Sequence, residues 1–316
     1  EVYGDTRGKI ANSTNTGVVH GDVNSGGIVG SMAVEYDFDP EDDIKNKGDK
    51  SLKFTYKTKC VILRCKNDGS VNVKKNYGGG IAGRMDLGSV VSCESYGGVS
   101  NDDGSYTGGI AGLSDTVIRN SVVKCGVSGG DYTGGIAGKA SSVSNCYALV
   151  NIPKSGEFTG AIAGDADKSE LKNNYFINDT FGGIDDITYS GSAEETDIGR
   201  LVSFAKAGFG TDIMFTLIFR ADDKEISRIQ FKYKDKIPEE QIPNVPEKDG
   251  YYGRWDITEL DALHFDTTVT AVYTQYVTTV ANESRRESGR PVFFVEGYYD
   301  EDAEIDAKAL ALSNTG

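Results

Sequence analysis

Carboxylates are the most abundant reactive groups in this sequence. Asp102, Asp103, Asp131, Asp165 and Asp167 sit in or near turns. Two such groups about 5–9.5 Å apart on one face could hydrolyse a glycosidic bond. Acidic turn residues are also ordinary solvated side chains, and sequence spacing does not supply that distance. A second acidic run reads Val34-Glu35-Tyr36-Asp37-Phe38-Asp39-Pro40-Glu41-Asp42-Asp43. Its alternating acids superficially resemble a calcium loop, but the sixth-position glycine and the closing glutamate are missing. Tyr36, Asp37 and Asp39 are therefore candidate contacts for Ca2+, or for a partner if the segment is a solvated binding loop.

Other chemistries are thinly represented. The two histidines, His20 and His264, lie far apart, and His20 has no nucleophile elbow beside it. There is no H-E-x-x-H and no G-x-x-x-x-G-K-[ST]. The five cysteines are an odd number and contain no zinc-type C-x-x-C pair. No catalytic residue and no bound cofactor is assigned.

The elements that would position these groups follow from a repeat. Gly26-Gly27-Ile28-Val29-Gly30 recurs at Gly79-Gly80-Ile81-Ala82-Gly83, Gly108-Gly109-Ile110-Ala111-Gly112 and Gly134-Gly135-Ile136-Ala137-Gly138. A weaker copy is Gly160-Ala161-Ile162-Ala163-Gly164. A second block alternates with it, centred on Ser13, Cys65, Cys93, Ser121, Cys146 and Asn174; Val143-Ser144-Asn145-Cys146-Tyr147 is the fullest copy. From each central isoleucine to the next second block the intervals are 37, 12, 11, 10 and 12 residues. The repeat is thus about 25–28 residues, with an insertion near 31–57. A unit of two short strand-like pieces cannot bury its own face, whereas stacked units can. Glycine at 40 of 316 positions, against a usual ~7 %, supplies the tight corners.

Stacking would align equivalent side chains. Cys65, Cys93, Ser121 and Cys146 form a small inward row, read as packing for a narrow core or, alternatively, as a metal or redox ladder. Asn120, Asn145 and Asn173 form a turn row, because Asn tolerates left-handed backbone. Tyr77, Tyr106, Tyr132 and Phe158 stand four residues before the central isoleucines, with Asn24 in the first copy. These aromatics either pack between repeats or present a stacking surface to sugar rings or a partner.

The alternation of G-G-I-A-G with V-S-N-C-Y resembles the GLUG repeat over about residues 8–178. That resemblance implies a parallel β-solenoid in a large exported bacterial surface protein. GLUG regions also flank immunoglobulin-cleaving metallopeptidases, whose zinc motif is not encoded here.

Residues 179–211 read as a connector with a short helix over 196–207, stopped by Gly208. Residues 212–277 differ in character. Strands are expected at 215–219 and 225–237, followed by Pro238, Pro243 and Pro246, then Gly250-Tyr251-Tyr252-Gly253-Arg254-Trp255 and a strand from Thr268 to Tyr276. This pattern resembles a small repeat of Listeria and Bacteroides surface proteins, which implies a β-grasp-like module with Trp255 in its core. Residues 278–290 read as a polar linker, and a further module could begin at Pro291.

The fold class expected is therefore mainly β: a parallel β-solenoid with a small C-terminal β-grasp-like domain. A net charge of −15 argues against a nucleic-acid partner. No apolar run reaches the roughly 18–20 residues of a membrane span, so no membrane insertion is expected within the chain. The expected role is non-enzymatic: a rigid spacer and adhesion surface, secreted and displayed on the bacterial cell, with signal and anchor outside this chain. Its partner would be a host or bacterial surface glycan or protein. A carbohydrate-binding solenoid using the aromatic row, and a polysaccharide-degrading enzyme using turn carboxylates, are the alternatives.

Overall fold

A computed structural model describes residues 8–33, 60–102, 104–153, 156–177, 180–275, 278–287 and 290–296, with side chains as far as Thr274. The chain is mainly β. It divides into two units, Glu1–Ile213 and Met214–Gly316.

In the first unit each repeat pairs strand for strand with the next, in parallel and in register. Lys9, Val61 and Ser89 align, as do Ala82, Ala111, Ala137 and Ala163. Thr107, Thr133 and Thr159 form a third aligned row. The pairings build parallel sheets of nine, ten and five strands. Their enclosed faces carry the central isoleucines Ile81, Ile110, Ile136 and Ile162, all fully buried. The glycine pairs mark the corner where backbones crowd. A Cβ on Gly134 would lie 1.9 Å from the Ala137 carbonyl oxygen, so no larger residue fits there. A Cβ on Gly135 would lie 1.9 Å from the carbonyl oxygen of Ala161 in the next repeat. Ala161 itself faces a different neighbour: its N–H donates to Gly182.

The inward Cys/Ser/Asn row does more than fill space. The Cys65 N–H donates to the Cys93 Sγ at 3.4 Å, and the Cys93 N–H donates to the Ser121 Oγ at 3.1 Å. The Cys146 N–H donates to the Asn174 Oδ1 at 3.1 Å. At these three steps the next repeat satisfies a buried N–H, which is why a small residue with an acceptor stands there.

Beyond Ile177 the chain continues to pair with the stack. Gly182 and Gly183 accept hydrogen bonds from Ala161 and Ile162, and Ala193–Glu195 runs parallel to Asn174–Ile177. Helix α1 follows at Ile198–Phe209. Asp197 caps its start by accepting from the Arg200 N–H at 3.0 Å. Gly210, at φ 72°, ends it, two residues later than expected from Gly208. Its inward residues Leu201 and Ala205 are buried, Phe204 stacks on Tyr147 at 4.2 Å, and Arg200 lies 3.5 Å from the Tyr175 ring centre. Just past the helix, the Thr211 hydroxyl donates to the buried Glu94 carboxylate at 2.7 Å.

The second unit contains a four-stranded sheet, in the order Lys224–Phe231, Phe215–Ala221, Thr267–Gln275, Tyr251–Trp255. The two central strands are parallel and the outer pairs antiparallel. Asp222 and Asp223 make the first hairpin turn with positive φ at both, the geometry that matches strand twist. The second strand ends at Phe231, short of the expected 237. There Asp235 accepts from the Lys232 N–H and Lys234 takes φ 58°. One 3-10 turn, Glu239–Gln241, lies in the crossover. Phe215, Leu217, Phe219 and Val269 are buried. Trp255 packs edge-on to Phe219 at 5.0 Å and donates to the Pro243 carbonyl at 2.9 Å. A separate hairpin pairs Thr278–Glu287 with Arg290–Glu296.

Candidate functional site

The aromatic row of the first unit is a continuous column. Tyr77 and Tyr106 stack at 5.1 Å between ring centres, Tyr106 and Tyr132 at 4.6 Å, and Tyr132 and Phe158 at 4.7 Å. The last two pairs are within 7° of parallel. All four residues have positive φ, from 57° to 68°, and Asn24 takes φ 51° at the equivalent place. The column therefore grows from a left-handed bend that precedes each glycine corner. Bulky residues seldom adopt this conformation. Here the rings are half-buried against one another, apart from terminal Phe158 at 36 % exposure. Stacking covers the faces of the inner rings, so an incoming sugar would meet their edges and hydroxyls.

A charged row flanks the column. Arg84, Leu113, Lys139 and Asp165 align in register. Arg84 pairs with Asp86 at 2.7 Å and lies 5.2 Å from the Tyr77 ring centre. Lys139 pairs with Asp165 at 2.7 Å and lies 5.7 Å from the Tyr132 ring centre. Hydrogen bonding to Asp86 raises the Arg84 pKa, and hydrogen bonding to Asp165 raises that of Lys139.

Beside this row lies a groove of about 580 Å³. Its lining includes Asp115, Ser141, Ser142, Asp165, Asp167 and Glu170. The strand Ala111–Arg119 bulges against Ala137–Ser144 between Ser114 and Val117, and Asp115 faces outward in the strand's alternation, with Leu113 and Val117. Asp167 caps a 3-10 turn, accepting from both the N–H and the hydroxyl of Ser169, and these bonds hold its carboxyl below the usual range.

The turn carboxylates are thus sorted by the fold. Asp165 and Asp167 come together, joined by Asp115 and Glu170, which sequence spacing had not singled out. Asp131 instead accepts from the Glu157 N–H at 2.9 Å, bridging two repeats. Asp102 is exposed elsewhere, and Asp103 lies outside the described residues. Tyr36, Asp37 and Asp39, with the whole acidic run, also lie outside the described residues. Among the described residues no set of three or more His, Cys, Asp or Glu side chains is arranged to hold a metal ion. The feature of the sequence that falls at this recess is an unequal spacing. The interval from Ile136 to Cys146 is the shortest at 10 residues, between intervals of 11 and 12. A short segment between longer ones stands back from its neighbours.

No family model matches the chain, and no curated protein matches it. Among solved structures, it is similar to a 1.30 Å crystal structure named a "putative immunoglobulin A1 protease" from Bacteroides ovatus. The two are 18 % identical over 64 % of this chain and 69 % of that one, with a TM-score of 0.41. A likeness at that score transfers neither fold nor activity.

Proposed function

We propose that this chain is a non-enzymatic segment of an exported bacterial cell-surface protein, a rigid spacer that doubles as an adhesion and interaction surface. In this reading the first unit is a parallel β-solenoid of GLUG type and the second a β-grasp-like module. The observation that carries the spacer role is the in-register pairing of successive repeats. Every repeat is bonded along several columns to the next, so bending the stack would break many hydrogen bonds at once. The 2-1-4-3 strand order with parallel central strands supports the β-grasp-like reading.

Antibody raised against the first unit tests the location. Intact cells of the producing bacterium should stain, and brief protease treatment should remove the signal. Staining only after permeabilisation overturns the proposal.

A second reading, carbohydrate binding, is favoured by the aromatic column lying beside a polar groove. A glycan-degrading activity would use the carboxylates of that groove. The spacer reading requires that incubation with polysaccharides release no reducing ends.

A further inference from the structure

The groove beside the aromatic column has a chemical character that the spacer role does not call for. Its floor is the short segment between Ile136 and Cys146, where Ala140 is buried and Ser141 and Ser142 line the groove. One wall is the bulge with Asp115 and Val117, the latter 40 % exposed. The other wall carries Asp165, Asp167 and Glu170. Its volume of about 580 Å³ falls within the 300–1,000 Å³ typical of small-molecule sites.

We propose that this groove binds a saccharide unit, uncharged or amine-bearing, of a glycan chain. The inference deepens the carbohydrate reading above and is independent of the spacer reading. Four carboxylates offer acceptors to sugar hydroxyls; the Ser141 hydroxyl can both donate and accept, while that of Ser142 already donates to the Glu170 carbonyl at 3.3 Å. Val117 and Ala166 supply the small apolar surface that a sugar's C–H face requires. Two of the acceptors are already fixed, Asp165 by Lys139 and Asp167 by Ser169, so little side-chain entropy is lost on binding. Asp115 and Ser141 are exposed and line the groove, and Asp115 is close enough to Arg84 to act on it electrostatically. Lys139 is the single cation of the lining and is already paired. A uronate or sulfated glycan would therefore be repelled. A lone basic side chain would leave the hydroxylated floor unused.

The test is an array of neutral hexose, N-acetylhexosamine, chitosan, uronate and sulfated oligosaccharides, with a lysine-rich peptide alongside. The full chain should bind neutral or amine-bearing members and ignore the acidic ones. Ser141→Trp fills the recess from an exposed position and should abolish binding without shifting the melting temperature. Asp115→Asn keeps the shape and should weaken binding about tenfold, the loss of one charge-assisted hydrogen bond. Binding that survives Ser141→Trp but is lost in Tyr106→Ala/Tyr132→Ala would move the site to the aromatic column and overturn this proposal while keeping the carbohydrate reading. No binding to any saccharide, or binding to the peptide alone, overturns both.

Discussion

At the scale of single residues, the aromatic column sets two costs against each other. A left-handed backbone costs a non-glycine residue about 1–2 kcal/mol. Each stacked aromatic pair returns roughly 0.5–1.5 kcal/mol beyond its buried area. Tyr132 has two stacked neighbours, Tyr106 and Phe158, so the balance is favourable there. Replacement by Asn, the residue found at position 24, keeps the bend and removes the rings. Tyr132→Asn should therefore destabilise less than Tyr132→Ala, and thermal melts of both variants would show the order. An equal loss from the two would mean that backbone strain plays no part. The cysteines offer a second test at this scale. Full burial pushes the Cys146 thiol up to about 12, and Cys65, Cys93 and Cys125 are also buried, whereas Cys60 is half-buried. Burial raises the Cys60 thiol too, and hydrogen bonding with Cys93 lowers that of Cys65 to about 6. Cys65 is 1 % exposed, however, so access decides and iodoacetamide at pH 8 should label Cys60 first in the native protein. Cys146 should label only after unfolding, as peptide mass spectrometry would read.

At the scale of elements, α1 and the residue just beyond it cover one face of the stack. Asp197→Ala removes the helix cap and should cost about 1 kcal/mol, measured by urea unfolding. Beneath Thr211, the Tyr96 hydroxyl donates to Glu94 at 2.7 Å. Burial, then this hydrogen bond to a carboxylate, pushes the Tyr96 pKa well above its usual 10.0. The native state therefore holds Tyr96 neutral. That preference is harmless below pH 10 and becomes a liability above it, where the unfolded chain ionises and the folded one does not. Tyr96→Phe should accordingly lose less stability than the parent between pH 9 and 11. If both lose the same amount in matched melts, the buried phenol is not the titrating group.

At the scale of the whole molecule, the first unit gains stability from stacking identical layers. Ile136 is fully buried between the layers of Ile110 and Ile162. Ile136→Ala leaves a cavity in mid-stack and should cost about 2–5 kcal/mol. Denaturant unfolding would show a lower midpoint, and a change under 1 kcal/mol would contradict a continuous core.

Much of this architecture was legible in the sequence. The recurring Gly-Gly-Ile corner fixed the repeat length, because only glycine survives where a Cβ would meet backbone at 1.9 Å. The row of Asn120, Asn145 and Asn173, now at φ 53°, 53° and 55°, was readable from asparagine's tolerance of left-handed backbone. The aromatic column's conformation was not readable. Nothing intrinsic to tyrosine favours positive φ, and only the ring of the neighbouring repeat makes it tolerable. Residues 182–195 likewise read as connector, since a strand that pairs only through a stack's last edge has no periodicity of its own. The groove was half legible. The intervals of 11, 10 and 12 residues could be counted, but the recess and the bulge between Ser114 and Val117 arise only when segments of unequal length are forced into register. Local chemistry thus determined the period and the corners of this protein. Contact between residues a full repeat apart decided which side chains meet across it.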